Sequence, residues 1–233
     1  MKCLLYVCLI TSLTIAGVHA IEQSVEASPA QAMRPGVSVK MAGASSAQPM
    51  PEADNADAWI VTVTADGQLY FGIDAVTPAA LQARMIRSAH KRGQRLYIKA
   101  DARASFANVQ KALEAASAAD FESPVLLVNQ EGTMSTATIV APKGLEITVD
   151  GAANSGAKSV VEINYSAQGS STLRIDDREI SFADLHSRLQ QVVQNRKTIL
   201  LRADGRAAFG EVARVVDACR AAGANVVVAA PVV

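Results

Sequence analysis

Two acidic–basic pairs recur in this chain at the same spacing, Asp101 with Arg103 and Asp204 with Arg206. Each pair lies inside the same pattern, Lys/Arg-Ala-Asp-x-Arg-Ala-x-Phe. A presented carboxylate and guanidinium can bind the polar groups of a peptide or a glycan through charge-assisted hydrogen bonds. The same spacing also suits a turn before a helix, where a short acidic side chain accepts backbone N–H groups and pairs locally with the arginine. The sequence therefore makes these four residues the candidate binding residues, with a structural role in the turn as the alternative interpretation.

Nothing else in the sequence has the pattern of a catalytic or metal-binding site. The motifs G-x-S-x-G and H-E-x-x-H and a glycine-rich phosphate loop are absent. His90 and His186 have no carboxylate or cysteine cluster at ligand spacing. The adjacent Asp176 and Asp177 belong to a turn before a helix, where neighbouring side chains point apart. We therefore expect a protein that is not an enzyme and that uses no metal or cofactor.

The charge balance argues against nucleic acid as a partner. The 233 residues carry 22 basic and 22 acidic groups, whereas an electrostatic nucleic-acid binder has a basic excess. Hydrophobic residues make up 50% of the chain, which is enough for a packed core and argues against wholesale disorder. One stretch, 84–95, is locally basic. A solvated helix face is the simpler interpretation of this stretch, and contact with an anionic envelope component is the alternative.

The first twenty residues have the form of a secretory signal. Lys2 precedes an apolar run from Cys3 to Val18, and Val18-His19-Ala20 offers the residue sizes that a signal peptidase reads. The run is shorter than the roughly 20 apolar residues that span a bilayer comfortably, and no acidic residue lies inside it. We therefore predict a signal peptide over 1–20 and a periplasmic protein. The alternative is an uncleaved anchor that keeps the chain at the inner membrane.

The pattern around the two pairs is part of a longer internal repeat. The first repeat runs from roughly 36 to 130 and the second from roughly 144 to 233. In each, alternating residues around a glycine turn predict a hairpin, and a helix, a strand, a second helix and a last strand follow. The second helices carry matching apolar stripes, which are Phe106, Val109, Leu113 and Ala116 in the first repeat and Phe209, Val212, Val216 and Cys219 in the second. This spacing predicts that both phenylalanines and Cys219 are buried.

Local signals indicate where the helices begin and end. Thr77 followed by Pro78 predicts the start of the first helix of the first repeat. Ser181 with Asp184 three residues later is an acidic variant of the capping box and predicts the corresponding start in the second repeat. Gly223 is the expected end of the last helix.

The repeat predicts the α+β fold class, with two similar units. Because strand–helix–strand connections normally share one hand, each unit is expected to be a small mixed β-sheet with two helices on one face, in the order β-β-α-β-α-β. Each unit is about 90 residues long, which is just large enough for its own core. The expected divisions after the signal are a flexible tether over 21–58 with an extended patch at 36–41, a first domain over 59–130, a linker over 131–159 with an extended patch at 144–150, and a second domain over 160–233.

The stretches IKADARASFANVQKAL and LRADGRAAFGEVARVVDACRAAGANVVVAA resemble the periplasmic domain of the ExbD/TolR biopolymer-transport family. In that family a strand ending in Ala-Asp precedes a helix that carries an aromatic residue and ends in Ala-Gly before an apolar strand. The resemblance covers most of 36–233. It implies a component of a TonB- or Tol-type proton-driven system, with TonB/TolA-like or ExbB/TolQ-like partners. It also implies domains that tend to act as dimers and, for TolR-type domains, an association with peptidoglycan.

The chain departs from the family pattern in four ways. Ala119-Asp120 stands where the family usually has Ala-Gly, and Phe106 and Phe209 stand where it often has Tyr. Family members usually carry one domain behind a transmembrane helix that holds an acidic residue, and this chain has two repeats and no acidic residue in its apolar run. The proton-pathway half of the family's task is therefore expected to be absent.

Three hypotheses follow from the resemblance and its departures. In the first, the chain is an exported protein that binds a periplasmic partner of the transport system, and its two repeats pair with each other. In the second, it is an inner-membrane anchored transport subunit. In the third, it is a peptidoglycan-binding module that uses the two acidic–basic pairs.

Overall fold

The computed structural model describes residues 36–87, 94–121, 123–130, 141–149, 159–166, 168–194 and 197–229. The predicted signal over 1–20 and part of the basic stretch, 88–93, lie outside the described residues. All described residues fall within one compact unit of the chain.

The described part of the chain contains fourteen strands, four α-helices and one short 3-10 helix, Pro51–Asp54. The strands are β1 (Gly43–Ala44), β2 (Gln48–Pro49), β3 (Trp59–Val63), β4 (Leu69–Phe71), β5 (Asp74–Val76), β6 (Leu96–Ala100), β7 (Val125–Gln130), β8 (Lys143–Glu146), β9 (Thr148–Val149), β10 (Ser159–Tyr165), β11 (Ser171–Ile175), β12 (Arg178–Ile180), β13 (Thr198–Ala203) and β14 (Asn225–Val228). The helices are α1 (Pro78–Arg87), α2 (Phe106–Ala118), α3 (Leu185–Val193) and α4 (Phe209–Ala221).

The strands form two mixed sheets with the same central order. The first sheet runs β2-β8-β7-β6-β3-β4-β5, with β1 also paired to β7, and the second runs β12-β11-β10-β13-β14-β9. In the first sheet β3, β6 and β7 are parallel to one another, while β3, β4 and β5 form an antiparallel meander. In the second, β10, β13 and β14 are parallel, and β10, β11 and β12 form the meander. The predicted α+β class with two similar units is confirmed.

Four strands were not predicted, namely β1 and β2 in the segment expected to be a tether and one further strand in each unit. The three-residue strands β5 and β12 follow the hairpins and add a third antiparallel strand at the outer edge of each sheet. Each unit therefore has the order β-β-β-α-β-α-β rather than β-β-α-β-α-β. Both strands are too short and too exposed to produce an alternating hydrophobic signal.

The predicted start of α1 is confirmed by a hydrogen bond, whereas α3 begins later than predicted, at Leu185, with Asp184 and not Ser181 as its N-cap residue. The Ala80 N–H donates to Thr77 Oγ1 over 3.2 Å, which caps α1. The Asp184 N–H donates to Ser181 Oγ over 3.1 Å, and the Ser181 hydroxyl donates to the Asp184 carboxylate over 2.7 Å. The second arrangement closes the turn that leads into α3.

The departure at Ala119-Asp120 does not change the backbone. Asp120 has φ 61°, and the corresponding Gly223 has φ 85°, so in both repeats the backbone leaves the helix through the left-handed region. Asp is one of the few non-glycine residues that occupy this region with some ease. The two helices therefore end in the same way although only one of them ends at a glycine.

Most of the buried apolar residues of both repeats belong to one contiguous core. Phe106 is 2% exposed, and Phe209 and Cys219 are fully buried, as the apolar stripes predict. The helix α4 of the second repeat contacts α2, β1 and β8 as well as strands of its own sheet. The expectation that each repeat encloses a separate core is therefore not met, because α4 packs against α2 and β1 of the first repeat.

The segment 143–149 contributes a strand to each sheet. β8 pairs antiparallel with β7 of the first sheet, and β9 pairs parallel with β14 of the second. Between them lies only Ile147, which is 1% exposed. The two sheets are therefore tied together by consecutive residues of one short segment.

The far face of the first sheet is covered by the segment that contains the 3-10 helix. Met50 and Ala53 pack there against Tyr97, Val125 and Leu127. Among the described residues, no helix is both long enough and apolar enough to cross a membrane.

Candidate functional site

The first acidic–basic pair forms the turn between β6 and α2. Asp101 Oδ1 accepts the Arg103 backbone N–H over 3.0 Å and Arg103 Nε over 2.8 Å, and Asp101 Oδ2 accepts Arg103 Nη2 over 2.9 Å. Asp101 Oδ2 also accepts the Lys40 N–H over 3.0 Å, which joins the N-terminal segment to the turn. The hydrogen bond from Arg103 holds the pKa of the buried Asp101 carboxyl far below its usual range.

The second pair repeats this arrangement between β13 and α4. Asp204 accepts the Arg206 backbone N–H over 2.9 Å, and its two carboxylate oxygens accept Arg206 Nε over 3.0 Å and Nη2 over 2.7 Å. The hydrogen bond from Arg206 lowers the pKa of Asp204 to about 2. Arg206 also donates to the Tyr165 carbonyl over 3.0 Å, and its guanidinium lies 5.3 Å from the Tyr165 ring centroid.

The two turns meet each other through their backbones. The Phe106 N–H donates to the Ala207 carbonyl and the Phe209 N–H donates to the Ala104 carbonyl, both over 2.8 Å. Ser105 and the residue opposite it, Ala208, form an antiparallel bridge between these bonds. We call the residues 102–107 and 205–210 the junction.

Two further bonds extend the junction into the next residue of each helix. The Ala107 N–H donates to the Gly205 carbonyl over 2.9 Å, and the Gly210 N–H donates to the Ala102 carbonyl over 2.8 Å. Neither α2 nor α4 has a side-chain cap of its own. The first two N–H groups of each helix, which have no partner within a helix, are therefore satisfied by carbonyls of the other repeat.

The four predicted residues lie on the two turns that supply these carbonyls. The structure joins Asp101 to Arg103 and Asp204 to Arg206, so each pair acts locally to hold its turn. The Arg103 and Arg206 side chains are nevertheless 69% and 63% exposed. Direct contact of these arginines with a ligand stays a prediction.

A second polar contact was missed from the sequence. Asp217 on α4 is 9% exposed and accepts the Ser45 N–H and the Ser45 hydroxyl, both over 2.9 Å, and the Ser46 N–H over 2.8 Å. The Ser46 hydroxyl also donates to this carboxylate. Burial raises the pKa of Asp217, but the hydrogen bonds from Ser45 and Ser46 outweigh it and hold the pKa below its usual value. The only sequence signal is an acidic residue beside the apolar stripe of α4.

The chain matches the family model described as Biopolymer transport protein ExbD/TolR in two consecutive segments, residues 24–131 and 133–231. These segments cover nearly the whole chain, and the protein belongs to the ExbD/TolR family with two copies of the family's domain. No curated protein matches the chain. Members of the family are envelope-associated components of proton-driven biopolymer transport systems rather than enzymes, and they generally work with ExbB/TolQ and TonB/TolA partners.

Asp217→Asn is expected to loosen the N-terminal segment. The amide keeps the shape of the side chain but brings N–H donors to face the Ser45 and Ser46 donors, so hydrogen bonds to a charged acceptor are lost. We expect the free energy of unfolding to fall by about 1–3 kcal/mol and the Ser45 and Ser46 amides to exchange faster with deuterium. Glu114→Gln is the matched control, because Glu114 is the exposed residue at the corresponding position of α2. Equal stability of the two variants would contradict this role.

Asp101→Asn is expected to cost more stability than Asp204→Asn, because Asp101 is more deeply buried and also binds the Lys40 N–H. Both carboxyls have a lowered pKa in the folded state. Their contribution is therefore present above the unfolded-state pKa of about 3.9 and is lost as the pH falls toward about 2.

Urea unfolding at neutral and acidic pH measures this dependence. We expect the parent protein to lose stability on acidification. Asp101→Asn should lose less, because this variant lacks the stabilisation by the Asp101 carboxylate already at neutral pH. An Asp101→Asn variant with the parent's full pH dependence would show that the pair does not stabilise the fold.

Proposed function

We propose that this protein is an exported binding component of a TonB- or Tol-type proton-driven envelope system, and that its two repeats act as a built-in dimer that captures a periplasmic partner protein. The observation that carries the proposal is the junction, where each repeat caps a helix of the other. Pairing domains within one chain raises their effective concentration to roughly millimolar for a short linker. The chain therefore needs no second copy to form the paired state in which the family's domains tend to act.

The outer strands of the two sheets are the proposed capture sites. β5 and β12 end the two sheets in the described part of the chain, at corresponding places in the two repeats. Their central residues, Ala75 and Glu179, are exposed. An extended segment of a partner can add to such an edge through backbone hydrogen bonds. The chain would therefore offer the partner two equivalent binding sites.

The exposed guanidinium groups of Arg103 and Arg206 provide a second proposed contact. Each is held in place by its aspartate, so little side-chain freedom is lost when it meets a carboxylate or a carbonyl of the partner. Peptidoglycan, which the family resemblance also suggests, offers the same acceptor groups. A partner protein is the stronger proposal because strand addition uses the exposed edges as well.

The apolar run from Cys3 to Val18 contains no acidic residue, which supports a role in binding a partner and not in moving protons. A carboxyl inside a membrane span is costly and normally functional. A chain without one is suited to binding rather than to moving protons, so we propose that the proton-driven step belongs to ExbB/TolQ-like partners.

Hydrogen–deuterium exchange tests the capture sites. The probe is the purified periplasmic region of a TonB- or TolA-like protein from the same organism, added to the full chain. We expect protection of the amides at 74–76 or 178–180, since strand addition turns exposed N–H groups into hydrogen-bond donors. Binding with protection only at other places would rule out these edges.

Substitutions in the edge strands separate backbone from side-chain effects. Ala75→Pro and Glu179→Pro remove a backbone donor from the middle of each edge, and Ala75→Ser and Glu179→Ser keep it. We expect the proline variants to weaken partner binding and the serine variants to keep it, with circular dichroism confirming the fold. Arg103→Gln with Arg206→Gln tests the second contact in the same assay.

The mass of the protein recovered from the periplasm tests export. Cleavage after Ala20 predicts a mature chain that begins at Ile21. A protein that retains residues 1–20 and sediments with the inner membrane would instead support the anchored transport subunit.

A further inference from the structure

The two sides of the junction differ at two matching positions. The repeats align with Asp101 opposite Asp204 in sequence, which places Ala102 and Ala107 of the first repeat at the positions of Gly205 and Gly210 in the second. In space the contacts are crossed, so that Gly205 faces Ala107 and Gly210 faces Ala102. Each contact therefore brings one alanine against one glycine.

A second methyl group at either contact would require the facing turn to shift by a few tenths of an ångström. A Cβ added to Gly205 would lie 3.0 Å from Ala107 Cβ, and a Cβ added to Gly210 would lie 3.2 Å from both the Cβ and the carbonyl oxygen of Ala102. Ordinary van der Waals contacts of a Cβ begin at 3.4 Å. The backbone bonds of the junction, at 2.8–2.9 Å, hold the turns at this separation.

The backbone conformation itself does not require either glycine. Neither Gly205 nor Gly210 lies in the left-handed region, where a side chain would be strained. An alanine at either position is compatible with the local backbone. The close approach of the other repeat is what selects glycine.

We propose that the junction encodes heterotypic pairing, with one alanine and one glycine at each contact, so that the surface of the first repeat fits the second repeat and not another first repeat. Two first-repeat surfaces in this arrangement would place alanine against alanine at both contacts and force the turns apart. Two second-repeat surfaces would place glycine against glycine and lose packing. The inference goes beyond the proposed function, because it states which surface can occupy the junction and excludes like-with-like pairing between copies.

A disulfide across the junction measures the pairing. Ser105 and Ala208 lie opposite each other with the hydrogen bonds on either side, a position where Cα atoms are about 4.5 Å apart and a disulfide fits. The full chain carries Ser105→Cys and Ala208→Cys, with Cys3 and Cys8 replaced by Ser. Cys219 is buried, which raises the pKa of its thiol to about 12 and leaves it unreactive. The ratio of disulfide to dithiol in a glutathione buffer gives the effective concentration of the pair.

Gly205→Ala in this background is expected to lower the effective concentration roughly tenfold, which corresponds to about 1.4 kcal/mol. Ala107→Gly, which removes the facing methyl group, should restore it when combined with Gly205→Ala. Ala102→Gly is the matched control for this rescue, since Ala102 faces Gly210 rather than Gly205. Rescue by Ala107→Gly and not by Ala102→Gly supports the proposal. It also separates the contact from a general effect of introducing a glycine into the junction, and it holds even if Gly205→Ala alone folds poorly.

Two results would overturn the inference, and they differ from failure of the proposed function. An unchanged effective concentration in Gly205→Ala, or equal rescue by the two glycine substitutions, would show that the alanine–glycine contacts do not select the partner. Failure of the parent cysteine pair to form an intramolecular disulfide would instead show that the repeats do not pair in solution, and it would remove the built-in dimer as well.

Discussion

The reciprocal capping of α2 and α4 is the constraint on which the rest of this structure depends. Each helix begins with N–H groups that have no acceptor in their own helix and no capping side chain, and the carbonyls that satisfy the first two belong to the other repeat. A buried donor left without a partner is costly, so neither repeat completes its hydrogen bonds alone. The two repeats also share the main hydrophobic core. In this arrangement pairing is part of folding.

The role of the aspartate–arginine pairs in the fold follows from this reciprocal capping. Surface ion pairs contribute little to stability by themselves. Taken alone, the pair of Asp204 with Arg206 would therefore be of little importance to the fold. Each pair, however, fixes the turn whose carbonyls cap the opposite helix, and Asp101 also holds the N-terminal segment through Lys40. The motif recurs because both turns have the same task. The guanidinium of each pair stays largely exposed while it holds its turn.

Features that depend on residue type could be predicted from the sequence, whereas contacts made by backbone groups could not. The apolar stripes that contain Phe106 and Phe209, the Thr77 cap and the repetition of strands and helices all depend on residue type, and the structure contains them. Reciprocal capping uses carbonyls, which every residue carries, so no residue type marks it. The contact of Asp217 with Ser45 joins residues 172 positions apart and depends on a packing that neither residue specifies. The edge strands β5 and β12 are short and exposed, and so lack periodicity.

In a duplicated chain the two repeats can change independently in sequence, whereas the two copies in a pair of identical chains cannot. In a symmetric dimer both copies carry the same residue at every position, so the two surfaces that pair cannot differ from each other in sequence. Here the matching positions have diverged: Ala107 stands where the second repeat has Gly210, and Glu114 is exposed where Asp217 binds the N-terminal segment. The segment at 40–46 thus binds Asp101 of one repeat and Asp217 of the other.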